Sequence, residues 1–311
     1  MNPDVDFTIG LTEGVAWPWP IAVYLFLAGI SGGALAIACL IRLYRKEKTI
    51  TPLFASASVI AFVTIALGMV CLVADLTNPL FFWRILVFYN PTSVMSLGVM
   101  ALLFFIPTTA ILTVICCRKL VVRILPWTWL DTLIGLLSKL LPILVWVGLI
   151  FAVTICAYTG FLISALVRFP LINTAVLPAL FVASGLSAGA AASKLVAVTA
   201  FSAGHHDTEL AILHKAEWPV MAAEAFCIFM IVVALVSGNA SAQLAANAFF
   251  EGTWAVDFWV GTVAVGFGIP LVLAWVKESA MTFYASAMAS IVGMMCLRLF
   301  ILYAGQMNPV L

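Results

Sequence analysis

Eight stretches of continuous apolar residues dominate the chain, near Trp19–Leu43, Leu53–Ala74, Ser93–Cys117, Leu140–Leu166, Ala175–Phe201, Trp218–Ser237, Val256–Val276 and Ala280–Ala304. Each is long enough to cross a bilayer as an α-helix, which needs about 20 largely apolar residues. None alternates apolar and polar residues over about ten positions, as a transmembrane β-strand would. The pattern predicts an all-α integral membrane protein of eight spans. Leu120–Lys139, with Pro126, Trp127 and Trp129, carries too much charge for a ninth span. It is expected to lie along the cytoplasmic interface, where Trp rings favour the headgroup zone.

Composition agrees with a bilayer as the solvent. The 311 residues are 65% hydrophobic and 9% charged, whereas a soluble domain carries about 25% charged residues. A net charge of +1 supplies no basic face to neutralise phosphates, so nucleic acid is not expected as a partner. Short loops rich in Lys and Arg stay cytoplasmic, and eleven of these residues lie on one side: Arg42, Arg45, Lys46, Lys48, Arg118, Lys119, Arg123, Lys139, Lys194, Lys215 and Lys277. Arg84 and Arg168 lie on the other, and Arg298 sits inside the last span. Both termini are therefore expected outside, in the periplasm of a bacterial inner membrane. The N-terminal tail, with Asp4, Asp6 and Glu13 and no Lys or Arg, fits an exported end and shows no removable signal peptide.

The chain repeats itself at an offset of 156 residues. Gly29-Ile-Ser-Gly-Gly-Ala34 in the first span matches Gly185-Leu-Ser-Ala-Gly-Ala190 in the fifth. The economical reading is one membrane domain of two four-helix bundles, residues 17–167 and 174–306, related by a parallel repeat because four spans restore the original direction. Small residues at i and i+4 let two backbones approach closely, which suits helix packing and is also compatible with a groove for a ligand tail.

Redox chemistry within the chain itself is not expected. The three histidines, His205, His206 and His214, cluster in or beside one cytoplasmic loop, which leaves none inside the bundle to ligate haem. Cys39, Cys71, Cys116, Cys117, Cys156, Cys227 and Cys296 show no C-x₂-C run. They read as small apolar packing residues rather than iron–sulfur ligands, and no metal site is expected. Any metal belongs to a partner.

Ionisable groups inside a bilayer cost at least ~2.5–3.5 kcal/mol each and are retained for a reason. Four stand out. Asp75 ends span 2 on the outer side and Arg298 lies near the outer end of span 8, either paired with Asp75 as a clamp or acting as a ligand. Glu217 and Glu224 share one face of span 6, seven residues apart. Glu217 caps the membrane edge or opens a proton path, and Glu224 lies deeper on that path.

Five motifs resemble the NrfD/PsrC family of membrane subunits. They are Trp17-Pro-Trp-Pro-Ile-Ala-Val-Tyr24-Leu-Phe-Leu-Ala-Gly29-Ile-Ser-Gly-Gly33, Asp75-Leu-Thr-Asn-Pro-Leu-Phe-Phe-Trp83, Ser93-Val-Met-Ser-Leu-Gly98, Tyr158-Thr159-Gly160-Phe-Leu-Ile-Ser-Ala165 and Arg298-Leu-Phe-Ile-Leu-Tyr-Ala-Gly-Gln306. The resemblance implies a haem-free, quinone-reactive subunit of a molybdopterin or multihaem respiratory complex, coupled to a peripheral four-cluster iron–sulfur protein. Menaquinone or ubiquinone would be the carrier. Tyr158 would hydrogen-bond the quinone ring, and Tyr24 stands where some relatives place a histidine. Tyrosine, with pKa about 10, is a poor proton acceptor, which shifts the base role to Asp75. The expected quinone contacts are Tyr24, Gly29, Tyr158, Thr159 and Arg298, with Asp75 and Tyr158 at the chemistry. The match in spans 1, 4, 5 and 8 leans toward the nitrite-reductase type. A solute or ion transporter and a passive anchor of a respiratory complex are the competing readings, the first weakened by the lack of an inverted repeat.

Overall fold

A computed structural model describes residues 17–76, 78–84, 90, 93–204, 207–276 and 279–307. The acidic tail (Asp4, Asp6, Glu13), the His205–His206 pair and Lys277 lie outside the described residues. Among those described, the chain is all-helical, with eight helices long and apolar enough to cross a membrane. They are α1 (Trp19–Arg45), α2 (Pro52–Ala74), α3 (Val94–Cys116), α4 (Leu141–Ser164), α5 (Leu177–Ala200), α6 (Thr208–Val236), α7 (Thr253–Ala274) and α8 (Ala280–Ala304).

Local chemistry sets the helix ends. Pro20, Pro52, Pro142 and Pro178 occupy first-turn positions, where the missing N–H has no helical partner to lose. The Thr51 side chain accepts from the Phe54 amide at 3.3 Å, and Ser279 and Thr282 form a reciprocal capping box. α1 stops at Lys46, whose φ of 53° is left-handed and whose N–H returns to the last turn. Residues Asp257–Gly268 of α7 and Phe300–Ala304 of α8 are π-helical.

The structure corrects one boundary. α6 begins at Thr208, ten residues before the expected start at Trp218. Both glutamates in the added turns are paired: Arg45 lies 3.7 Å from Glu209 and donates to Thr208 at 2.8 Å, while Lys194 bonds Glu217 at 2.5 Å. Lys215, expected beside the loop after the fifth span, therefore sits on α6, and Lys194 lies within α5, inside its expected span. The segment after α3 forms two short helices, Arg118–Ile124 and Thr128–Lys139.

α1 is the most buried span, followed by α5, and these two form the centre. α1 packs on α2, α4 and α5, while α5 also touches α2, α6 and α8. α3 bridges α2 and α4, and α7 leans mainly on α8. The repeated glycine motifs meet one another at the α1–α5 crossing. A Cβ on Gly33 would collide with the Gly185 backbone, one on Gly189 would collide with Gly33 and Ala34, and one on Gly185 would lie 3.0 Å from the Gly29 carbonyl. Without lateral apolar drive between helices in lipid, such close backbone approach is what holds them together.

Candidate quinone site and the buried charges

Two tyrosines lie together near the helix ends remote from the basic loops. Tyr24 is one and a half turns into α1, and Tyr158 is a similar distance from the end of α4. Each ring rests against a helical glycine. A Cβ on Gly98 of α3 would collide with the Tyr158 ring and hydroxyl, and a Cβ on Gly68 of α2 would lie 3.3 Å from Cδ2 of Tyr24. The glycines thus let four helices converge on two phenols. Tyr24 is 1% exposed and Tyr158 9%, and the two side chains are close enough to interact electrostatically. The Tyr158 hydroxyl donates a long bond to the Met95 carbonyl at 3.4 Å. Tyr24 has no hydrogen bond to a described residue, so its hydroxyl is available.

Asp75 caps the C-terminus of α2, seven residues beyond Gly68 and so on the same helix face. That spacing places it about 10 Å further along the axis than the Tyr24 ring. One carboxyl oxygen, Oδ1, is buried with no hydrogen-bond partner, and burial pushes the Asp75 carboxyl above its ordinary range. A buried acceptor left unmet costs about 1–3 kcal/mol. Asp75 bonds neither tyrosine.

The remaining expected contacts gather elsewhere. Gly29 lies five residues from Tyr24, about 140° around α1, and faces α5 and α8. There it meets Met294, Arg298 and Gly185, and its carbonyl accepts from the Cys156 thiol at 3.6 Å. The Thr159 hydroxyl turns back to the Cys156 carbonyl at 2.7 Å, which commits its proton to its own helix. Arg298 is fully buried. Its Nη2 donates to Ser184 Oγ at 2.9 Å and to the Phe181 carbonyl at 3.2 Å, and its guanidinium lies 3.4 Å from the centre of the Phe181 ring. The clamp between Arg298 and Asp75 is not formed, because the guanidinium is held by α5 instead. Nε and Nη1 of Arg298 have no partner.

α6 carries the acids. Glu217 bonds Lys194 at 2.5 Å and His214 Nδ1 at 3.2 Å. Two turns further along the same face, Glu224 is 5% exposed, feels Arg298 electrostatically, and forms no ion pair within 4.0 Å among the described residues. Sequence reasoning passed over Glu209, Asp257 and Thr262. Asp257 Oδ2 and Thr262 Oγ1 are buried without partners in the π-helical run. Where hydrogen bonds run i→i+5, residues five apart stack along the helix, and helical periodicity of 3.6 hides that. Among the described residues, no group of three His, Cys, Asp or Glu is placed to hold a metal ion.

Comparison with known proteins decides the family. The model of the family described as "Polysulphide reductase, NrfD" matches residues 8–310. The chain belongs to the NrfD family. It is 37% identical over 301 residues to the C subunit of polysulfide reductase from Wolinella succinogenes, covering 94% of this protein and 95% of that one. Protein NrfD of Escherichia coli is 36% identical over 310 residues, covering 95% and 96%. The NrfD homolog of Haemophilus influenzae is 33% identical over 309 residues, with 96% of each covered. The Wolinella and Escherichia proteins stand equally near, so identity gives no support to a lean toward either type. Family membership also places this NrfD protein among multi-pass membrane subunits of respiratory oxidoreductases.

Proposed function

We propose that the chain is the quinol-reactive membrane subunit of a respiratory complex, with both termini and the tyrosine site on the periplasmic side and two four-helix halves packed through the glycine crossing. The observation that carries the proposal is the pair of buried phenols with a partnerless carboxyl oxygen on one face above them. A quinol needs such groups: hydrogen-bond partners for two oxygens, and an acceptor for protons released on oxidation. The available Tyr24 hydroxyl, the loosely bound Tyr158 hydroxyl and the unmet Asp75 oxygen fit that requirement.

In this scheme Tyr158 and Tyr24 orient the head group by hydrogen bonds, and the Gly98 and Gly68 backbones leave room for the rings that do so. Asp75, at the end of α2, takes up a proton and releases it outward. Each quinol oxidised gives up two protons and two electrons, and the electrons leave through an iron–sulfur cluster of a peripheral subunit that hands them to a molybdopterin or multihaem partner. In the reverse direction Asp75 delivers protons. Menaquinone and ubiquinone both present the two oxygens the site requires. Glu217 and Glu224 carry protons between the cytoplasm and the interior, with Lys194 holding Glu217 at the mouth.

The complex purified in mild detergent should contain extractable quinone and should reduce its iron–sulfur partner with added quinol. A preparation free of quinone and indifferent to quinol analogues would overturn the proposal and favour a passive anchor.

A further inference from the structure

The two halves make the same turn with very different lengths of chain. α7 reaches α8 through the few residues between Ala274 and Ala280, whereas α3 reaches α4 only through the whole of Arg118–Lys139. Joining two antiparallel spans does not require that segment. Its two short helices are tied side by side by the Arg118–Asp131 ion pair at 2.7 Å.

The second of them, Thr128–Lys139, is divided lengthwise into three sectors. Ile134, 1% exposed, marks the sector that packs on the protein. Trp129, Leu133, Leu136 and Leu140 follow the i, i+4, i+7, i+11 spacing of one helix face and are 59, 42, 58 and 45% exposed. Further along the chain Ile143 and Ile150 are likewise exposed on α4. The third sector is polar. Asp131, Gly135 and Lys139 follow one another at i+4, and Arg118 lies close over Gly135, 4.0 Å from the position a Cβ would take there. Lys139 thus stands one turn from Arg118. Lys119 and Arg123 share a face of the first short helix. The segment holds four cations and one carboxylate, and Arg118 alone is paired with it.

Among the described residues Lys119, Arg123 and Lys139 form no ion pair, and an exposed apolar stripe with three such cations in one segment has the chemistry of an interfacial anionic-lipid site. We propose that residues 118–140 bind an anionic phospholipid, with its phosphate held by Lys119, Arg123 and Lys139 and its acyl tails laid along Trp129, Leu133 and Leu136. The lipid covers the stripe and fixes the membrane depth of α3 and α4, the two helices that carry Gly98 and Tyr158. The inference rests on the spans being membrane-embedded and not on the quinol reading.

Native mass spectrometry of the full-length protein in detergent, titrated with phosphatidylglycerol or with phosphatidylcholine of the same acyl composition, tests it. The protein should retain phosphatidylglycerol and release phosphatidylcholine. A Lys119→Gln/Arg123→Gln/Lys139→Gln variant should bind phosphatidylglycerol on the order of a hundredfold more weakly, at about tenfold or less per cation. Unchanged thermal unfolding without added lipid shows that this variant is folded. Should it fail to fold, raised ionic strength must weaken phosphatidylglycerol retention by the native protein. Equal retention of the two lipids, a variant that binds like the native protein, or retention insensitive to salt would each overturn the proposal.

Discussion

Replacing Asp75 by Asn separates the chemistry of this residue from its effect on stability. The carboxyl and the amide have nearly the same shape, so the end of α2 is preserved while the proton acceptor is removed. A positioned acid–base group contributes about 10²–10⁴-fold to rate, and quinol-dependent reduction of the iron–sulfur partner should fall by that range. Burial raises the Asp75 pKa, so in the folded protein the carboxyl stays protonated to a higher pH than in the unfolded chain. Its linkage contribution is therefore favourable below the unfolded value of about 3.9 and declines as pH rises through the raised folded value. Asn carries no such cost at neutral pH, and the variant should unfold at the same temperature as the native protein or slightly above it. The rate depends on pH in the opposite sense, because only the ionised carboxyl accepts a proton. Quinol oxidation should lose activity on acidification at a pH above that expected of a free aspartate, and that limb should vanish in the variant. The measurements are quinol oxidation against pH and thermal unfolding in one detergent. Native rates in the variant, or an acid limb that survives the substitution, would refute the reasoning.

Tyr158→Phe keeps the ring against Gly98 and removes one hydroxyl; at about 0.5–1.5 kcal/mol for a hydrogen bond, quinol turnover should fall up to about tenfold, and the steady-state rate checks this. Gly33→Leu places a side chain where the Gly185 backbone stands; overpacking costs about 1–3 kcal/mol or more, visible as a lower unfolding temperature, and an unshifted transition would remove the close crossing. Lys194→Ala leaves Glu217 buried without its cation and should destabilise by about 3–5 kcal/mol, with Lys194→Ala/Glu217→Ala recovering part of the loss in denaturant titration. Glu224→Gln should abolish proton movement coupled to turnover in sealed vesicles while leaving electron transfer to the partner measurable, and undiminished movement would end its assignment to the path.

The membrane fold was legible because its cause is one-dimensional. A span must be apolar for about 20 residues whatever it packs against, and seven of the eight helices start or stop within a few residues of the apolar boundaries. The first ten residues of α6 escaped because Glu209 and Lys215 interrupt the apolar run, and only the fold shows Arg45 across from Glu209. The meeting of Tyr24 with Tyr158 is likewise three-dimensional. The motif resemblance singled out both tyrosines, but only packing shows that Gly68 and Gly98 receive them. Gly29, Thr159 and Arg298 lie within the same motifs, and helix geometry turns them to a different junction. Proximity in sequence said nothing about face.

α4 and α8 each carry a cysteine followed two residues later by a polar side chain: Cys156 and Tyr158 in α4, Cys296 and Arg298 in α8. In α4 that position rests against Gly98 and supplies a neutral hydroxyl. In α8 it holds a guanidinium packed on Phe181, with Glu224 an acid it senses across the interior. A charge retained inside a bilayer costs at least ~2.5–3.5 kcal/mol, and helix packing alone would favour an apolar residue there. One scaffold therefore holds two kinds of buried polar group, the phenols of Tyr24 and Tyr158 on α1 and α4 and the Arg298 guanidinium held by α5. The glycine crossing of α1 and α5 stands between them, because Tyr24 and Gly29 share α1 and Gly29 meets both Arg298 and Gly185.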